Sequence, residues 1–401
     1  MNKTLLILSF LLINPINVTK DKFMEKAKKL QKKIFCIDTH TDTPMNFFDD
    51  DFNVFKENSF EKSRSRVDFP RMEKGGLDAV FFAAFIGQGK RTPEANSKAT
   101  ERAIKIINKI KSVIASNNSV AEMAYTPKDA LTLFKKQKKA VFIGIENGYP
   151  LAKDISLVKK FYNLGARYIT LCHTKNNDIC DSSTDEKEHN GLSEFGKKVV
   201  KEMNRLGMII DVSHISDKSF YDVLEFSNAP VIASHSDARA ICNHPRNLSD
   251  DMIIKLAEKG GVLQLCILSD YVKEIKQSSK RTEAIKKFRA KYSNWSSLSP
   301  ADKAKARAER REINKKYPVT LATVKDLVDH IDHIVKLVGI DYVGIGTDFD
   351  GGGGLADCKD VSELPNITAE LLRRGYSEKE IEKIWGGNFL RVFKAVQNKR
   401  Q

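Results

Sequence analysis

Short apolar runs rich in β-branched residues alternate along this chain with longer segments whose apolar residues recur at helical spacing. The helical segments include residues 97–115, residues 192–206 and residues 321–338. The apolar runs predict strands near residues 34–38, 79–86, 141–145, 167–172, 208–212, 231–234, 261–267 and 342–347. Strands that alternate with helices pair in parallel, and eight such units close a (β/α)8 barrel of the TIM type.

Polar side chains that can bind metal ions follow six of these runs. They are His40 and Asp42, then Glu146, His173, His214, His235 and Asp348. A parallel barrel brings the carboxyl ends of all its strands to one face, and the loops on that face carry the chemistry. We therefore expect these side chains, which are far apart in the sequence, to meet at one site.

The residue types at these positions favour a metal centre. His40 and Asp42 form an H-x-D pair whose side chains point the same way from an extended strand. Such a pair alone is common by chance, and a single buried histidine is more often a hydrogen-bonded core residue than a ligand. Together with Glu146, His214 and His235, however, the pair offers nitrogen and oxygen ligands of the kind that zinc accepts. The set suits two divalent ions that share one carboxylate.

Nine short motifs occur in a fixed order along the chain. They are IDTHTDTP (37–44), GIENG (144–148), RYITLCH (167–173), NGLSEFG (190–196), DVSHIS (211–216), PVIASHS (230–236), RN (246–247), GTDFDG (346–351) and NFLRVF (388–393). In this order and spacing they resemble the renal (membrane) dipeptidase family, zinc peptidases with an α/β barrel of the amidohydrolase type. The resemblance runs from about residue 34 to residue 396.

This resemblance implies a dipeptidase that hydrolyses dipeptides with a bridging hydroxide in a binuclear zinc site. His40 and Asp42 would bind one Zn²⁺, His214 and His235 would bind the other, and Glu146 would bridge the two. The family often accepts a D-residue at the carboxyl-terminal position of the dipeptide, so the same is expected here.

The resemblance also implies roles for three residues beside the metal ions. His173 would contact the substrate carbonyl and stabilise its developing oxyanion. Arg246 would hold the free carboxylate of the substrate. Asp348 would contact the substrate and shuttle the proton from the attacking water to the leaving amine. The glycines 351–354 do not form a phosphate-binding loop, because no Gly-Lys-Ser/Thr follows them.

Two other classes of function remain open at this point. One is a related metal-dependent amidohydrolase that acts on N-acyl amino acids or lactams. Many such barrels carry H-x-H on the first strand and a modified lysine between the metals, whereas this chain has H-x-D and Glu146. The other is a non-catalytic binding protein of the cell envelope, which would be expected to have lost Asp348 or a ligand.

The net charge of +15 is concentrated in two segments. Residues 1–33 carry +6 and residues 271–317 carry +10, which leaves −1 for the remainder. We therefore expect no nucleic-acid partner at the active core. Residues 271–317, longer and more basic than the corresponding stretch of the mammalian members, predict a helical insertion on the barrel rim, with an anionic partner or a membrane surface as the alternative.

The amino terminus predicts export. Residues 4–13 are an apolar stretch behind a short basic start, too short for a membrane span of about twenty residues. We expect a signal peptide within residues 1–20, one barrel domain over residues 21–401, and a location in the periplasm or cell envelope, with an uncleaved helix as the alternative. The mature chain should have no transmembrane helix, its partners should be small dipeptides, and a homodimer is left open. The six cysteines suggest no disulfide framework.

Overall fold

A computed structural model of the chain describes residues 21–63, 65–293 and 298–401. Nine strands occur in these ranges: β1 (Ile37–Thr41), β2 (Ala79–Phe85), β3 (Ala121–Met123), β4 (Lys139–Glu146), β5 (Ala166–Thr170), β6 (Ile209–Asp211), β7 (Ile232–Ser236), β8 (Val262–Leu265) and β9 (Val343–Ile345). Eight of them follow one another in the order β1-β2-β4-β5-β6-β7-β8-β9, and all pair in parallel. The predicted (β/α)8 barrel is confirmed.

The barrel closes between its first and last strands through residues just beyond β9. The backbone N–H of Asp42 donates to the carbonyl of Phe349 at 2.9 Å, and that of Asp348 donates to the carbonyl of His40 at 3.0 Å. These hydrogen bonds join the ends of β1 and β9 at the carboxyl-terminal face, where the candidate ligands lie.

Helices connect the strands and surround the barrel. They are α1 (Lys22–Gln31), α2 (Phe60–Ser63), α3 (Phe69–Gly75), α4 (Pro93–Ala115), α5 (Pro127–Lys135), α6 (Ser156–Leu164), α7 (Glu194–Leu206), α8 (Asp217–Phe226), α9 (Asp250–Glu258), α10 (Ser269–Val272), α11 (Ser279–Lys291), α12 (Pro300–Lys316), α13 (Val324–Val338), α14 (Pro365–Arg373), α15 (Glu378–Glu382) and α16 (Asn388–Asn398). The three helical segments predicted from apolar spacing correspond to α4, α7 and α13.

Strand β3 was not predicted. It has only three residues and pairs with the first three residues of β4, outside the barrel order. Several barrel strands are also shorter or shifted relative to the prediction. His40, Glu146 and His235 lie inside their strands, whereas His214 lies three residues beyond β6.

Aromatic side chains fill the amino-terminal part of the barrel interior. The ring of Phe81 stacks on Phe142 at 4.8 Å and on Tyr168 at 5.0 Å between centroids. Phe389 and Phe393 of α16 pack against the same rings. The polar side chains of the candidate ligands lie in the other, carboxyl-terminal part of the barrel.

The predicted helical insertion is present in the described part of the basic segment 271–317 as two helices, α11 and α12. Within the described ranges, no helix is both long and apolar enough to cross a bilayer. The predicted signal peptide, residues 1–20, lies outside the described residues. All six cysteines are within them, and each is a buried free thiol.

Candidate metal centre

Glu146, the last residue of β4, lies at the centre of the site. Its side chain is buried, and its Oε1 lies 3.2 Å from Nε2 of His214 and 3.6 Å from Nε2 of His235. The other oxygen, Oε2, lies 3.5 Å from Nε2 of His40. Nε2 of His173 lies 3.5 Å from Oε1. One carboxylate therefore contacts histidines from four different strand ends.

Among the described residues, three groups of side chains offer ligand atoms within 4.8 Å of one another. The first is His40, Asp42 and Glu146, and the second is Glu146, His214 and His235. These two groups share Glu146 and contain all five predicted ligands. The third group joins Asp348 to His40 and His235, so the side chain of Asp348 faces the same small volume.

The unpaired atoms of these side chains fit a bound cation. Nε2 of His40, Oδ1 of Asp42 and Oε2 of Glu146 are buried and have no hydrogen-bond partner among the described residues. Nε2 of His214 faces Nε2 of His235 at 2.8 Å. Buried polar atoms without partners are rare because they cost free energy, and an ion between these atoms would satisfy them.

Among the candidate metal ligands, His40 and His235 are oriented by hydrogen bonds that their Nδ1 atoms donate. Nδ1 of His40 lies 2.8 Å from the hydroxyl of Tyr168, and Nδ1 of His235 lies 2.7 Å from Oγ of Ser234. Because Ser234 donates its own proton to Oδ2 of Asp211 at 2.6 Å, it accepts from His235. The Nδ1 atom then carries the hydrogen, and Nε2 is left as the ligand.

Replacing Ser234 by Ala should therefore lower the metal affinity by about 10- to 100-fold, the usual effect of losing a partner behind a ligand. A competition titration with a chelator measures this change. Ser227→Ala is a matched control, because Ser227 is also buried and hydrogen-bonded, to Asn204 and Ala229, but lies away from the candidate ligands. Equal affinities of the two variants would contradict the role of Ser234.

The electrostatics of the centre follow from burial and from the Glu146 charge. Burial opposes a charge on His40, but the Glu146 carboxylate outweighs it and raises the pKa of His40 to about 10. Burial lowers the pKa of His214 and of His235 well below the usual value. Burial and the nearby Glu146 charge raise the pKa of Asp42. The buried Glu146 carboxylate therefore favours positive charge at this centre.

Left-handed backbone conformations help to aim two of these side chains. His214 has φ of 71° and Asp348 has φ of 56°, values that cost free energy in residues other than glycine. At Gly351, a Cβ atom would lie 2.2 Å from Oδ2 of Asp42 and 2.3 Å from Oδ1 of Asp348. Only glycine therefore lets the loop after β9 lie against both carboxylates.

Arg246 lies in the loop after β7 and is buried. Its guanidinium donates to the carbonyl of His235 at 2.9 Å and to Oγ of Ser236 at 3.2 Å. It also lies 5.4 Å from the centroid of the Tyr271 ring. These contacts hold the cation beside the strand that carries His235.

A cavity of about 1050 Å³ opens above the candidate ligands. Asp42, Glu146, His173, His214, His235 and Asp348 lie at its wall. The side chain of His173 is 22% exposed, and its ring packs edge-on against Phe85, another wall residue. A small molecule in this cavity would reach the candidate ligands and His173 together.

Sequence reasoning missed three residues of the site. Tyr168 and Ser234 hold histidine rings, and Tyr271 lines the cavity beside Arg246. The position of Tyr168 in a buried strand indicated a polar contact, because a buried tyrosine needs a partner for its hydroxyl. Its ring fits only because Gly144 has no side chain: a Cβ there would lie 2.0 Å from Tyr168. Tyr271 gave no such signal.

Comparison with known proteins identifies the family. The sequence model of the membrane dipeptidases (peptidase family M19) matches residues 24–401. The chain belongs to the membrane dipeptidase family. Dipeptidase tcpJ of Claviceps purpurea is 32% identical over 338 residues, which cover 83% of this chain and 69% of that protein. Human dipeptidase 3 is 32% identical over 383 residues, which cover 94% and 68%.

A solved structure supports the same assignment. The crystal structure of the probable dipeptidase PvdM from Pseudomonas aeruginosa has a TM-score of 0.81 and 32% identity, and the match covers 95% of this chain and 100% of that one. The resemblance inferred from the motifs is confirmed. As a membrane dipeptidase, the chain is a hydrolase of the metallopeptidase class, and its grouped ligand residues suit the metal that this class requires.

Proposed function

We propose that this protein is a zinc dipeptidase that cleaves the single peptide bond of dipeptides at a centre of two Zn²⁺ ions. The observation that carries the proposal is that two groups of ligand residues share Glu146. Paired metal ions in hydrolases lie about 3.5–4 Å apart, a distance that one carboxylate can bridge. The nitrogen and oxygen ligands present are those that zinc accepts.

In this proposal, His40 and Asp42 hold one ion, and His214 and His235 hold the other. The bound ions would lower the pKa of a water and polarise the scissile carbonyl. The protein's own contribution is to keep the imidazoles of His40 and His235 in the tautomer that leaves Nε2 unprotonated. The Tyr168 hydroxyl donates to the carbonyl of Thr39 at 3.3 Å and therefore accepts from Nδ1 of His40.

Arg246 would bind the free carboxylate of the dipeptide. A planar guanidinium donates two parallel hydrogen bonds to a carboxylate and so sets both charge and register. The Arg246 guanidinium is itself held by the carbonyl of His235, and its Nε has no partner among the described residues. The substrate would therefore be held at a fixed distance from the strand that carries a metal ligand.

His173 and Asp348 would act on the reacting atoms. Nε2 of His173 faces the centre at 3.5 Å from Glu146, and its ring is partly exposed to the cavity, so it can donate to a developing oxyanion. Asp348 lies at the cavity wall and faces His40 and His235. From there its carboxylate can take the proton of the attacking water and pass it to the leaving amine.

A substrate panel tests the proposal. It contains L,L- and L,D-dipeptides, N-acyl amino acids and a lactam, each assayed with zinc, after chelation and after zinc is restored. We expect dipeptides to give the highest kcat/KM, with a D-residue accepted at the carboxyl-terminal position, and a zinc content near two ions per chain. Faster hydrolysis of N-acyl amino acids or lactams would favour the amidase alternative. A zinc-loaded protein with no hydrolytic activity would favour a binding protein.

We also propose that the protein is exported to the periplasm or cell envelope. The support is the apolar stretch of residues 4–13 behind a basic start. Fractionation of the native host tests this location, and equal activity in the cytosolic fraction would count against it.

A further inference from the structure

The basic insertion contributes two cations to the wall of the active-site cavity. Lys303 and Arg307 of α12 both line the cavity, and they are four residues apart in the sequence. Ala306, on the same side of the helix, is fully buried, whereas Lys305 and Arg311 are exposed. Because residues i and i+4 share one face of a helix, the inner face of α12 presents both cations to the cavity.

A third cation, Arg102 of α4, lines the same cavity. Its guanidinium lies 4.6 Å from the ring centroid of Phe48, which is also a wall residue. Neither Arg102 nor Lys303 has an ion-pair partner in the part of the chain that the structure describes. Arg307 lies 3.9 Å from Asp49 in a partly exposed pair, where solvent screens most of the attraction. We call the part of the cavity wall formed by Arg102, Lys303 and Arg307 the outer wall. It therefore has surplus positive charge.

The other carboxylates that line the cavity lie at its floor, where they contact groups other than the α12 cations. Asp42, Glu146 and Asp348 belong to the candidate metal centre. Asp350 accepts a hydrogen bond from the backbone N–H of Arg66 at 2.6 Å. None of these carboxylates forms an ion pair with Lys303 or Arg307 in the described part of the chain. The charge of the outer wall is thus available to a bound molecule.

We propose that this wall selects dipeptides with an acidic side chain, whose second carboxylate binds Lys303 and Arg307. The inference rests on the proposed function and deepens it, because the main-chain carboxylate is already assigned to Arg246. The cavity of about 1050 Å³ is slightly larger than the usual range of small-molecule sites, about 300–1000 Å³. A glutamate side chain beyond the dipeptide backbone would use this extra room.

Two pairs of isosteric substrates test the inference: Ala–Glu with Ala–Gln, and Glu–Ala with Gln–Ala. The readout is the ratio of kcat/KM for the acidic and the amide member of each pair. For the zinc-loaded wild-type enzyme we expect a ratio of about ten in at least one pair, falling as ionic strength rises. The double variant Lys303→Met/Arg307→Met should lower that ratio to about one, and each single variant should lower it by about threefold.

The control is Lys305→Met/Arg311→Met, which removes the same charge from the outer side of α12 and should keep the wild-type ratio. Because each ratio is taken within one enzyme, a general change of activity cancels. A wild-type ratio near one in both pairs overturns the inference, as does an unchanged ratio in the Lys303→Met/Arg307→Met variant. If the zinc-loaded wild type hydrolyses neither Ala–Ala nor any member of the pairs, the proposed function fails and the inference fails with it.

Discussion

Replacing Glu146 by Gln should empty both metal positions and lower kcat/KM for dipeptides by about 10³-fold or more, since metal ions supply several kcal/mol of transition-state stabilisation and each 1.36 kcal/mol is tenfold. Glutamine keeps the size of the side chain but is neutral and offers one acceptor oxygen. It cannot bridge two ions. Elemental analysis of the purified protein, together with the dipeptide assay, measures both effects.

Glu194→Gln is the matched control for this experiment. Glu194 starts α7 with its side chain 85% exposed, and the same substitution there should change neither metal content nor activity. Thermal unfolding shows whether each variant is folded. A Glu146→Gln protein that retains two ions and wild-type activity would contradict the shared-carboxylate centre. Wild-type protein that is active with one ion or none would contradict it as well.

The barrel could be predicted from the sequence because its strands are buried on both faces. Such strands appear as continuous apolar runs, and β4 is an example, with every residue of Lys139–Glu146 buried. Strand β3 was not predicted because Ala121–Met123 is short and only its first residue is buried. It exists only by pairing with β4, and sequence spacing does not report that contact.

The meeting of the candidate ligands could be predicted because each side chain falls at or near the end of a strand. The backbone conformations that aim these side chains could not be predicted. His214 reaches Glu146 from a left-handed backbone conformation three residues beyond β6, which no residue pattern indicates. The position of the two α12 cations was not predicted for a different reason. The mixed charges of α12 are typical of a solvated helix, and only the packed structure shows that Lys303 and Arg307 face the cavity.

The second large effect is expected at Arg246. Arg246→Ala should lower kcat/KM for dipeptides by about 30-fold to several thousand-fold, because truncating a buried, hydrogen-bonded charge contact costs roughly 2–5 kcal/mol. Arg246→Lys should recover only part of the loss, since an ammonium keeps the charge but lacks the planar fork. Metal content should be unchanged in both variants, because Arg246 contributes no ligand atom. Steady-state kinetics and elemental analysis test these outcomes.

Amidated dipeptides separate a carboxylate clamp from a structural role of Arg246. The wild-type enzyme should discriminate strongly against them, because the amide offers no negative charge to the guanidinium. In Arg246→Ala this discrimination should disappear, whereas a variant that merely disturbed the loop after β7 would lose activity on both substrates and keep their ratio. Arg205→Ala, which removes an exposed arginine paired with Glu202, should keep both the activity and the ratio. Equal wild-type rates on free and amidated dipeptides would show that Arg246 does not hold the substrate carboxylate.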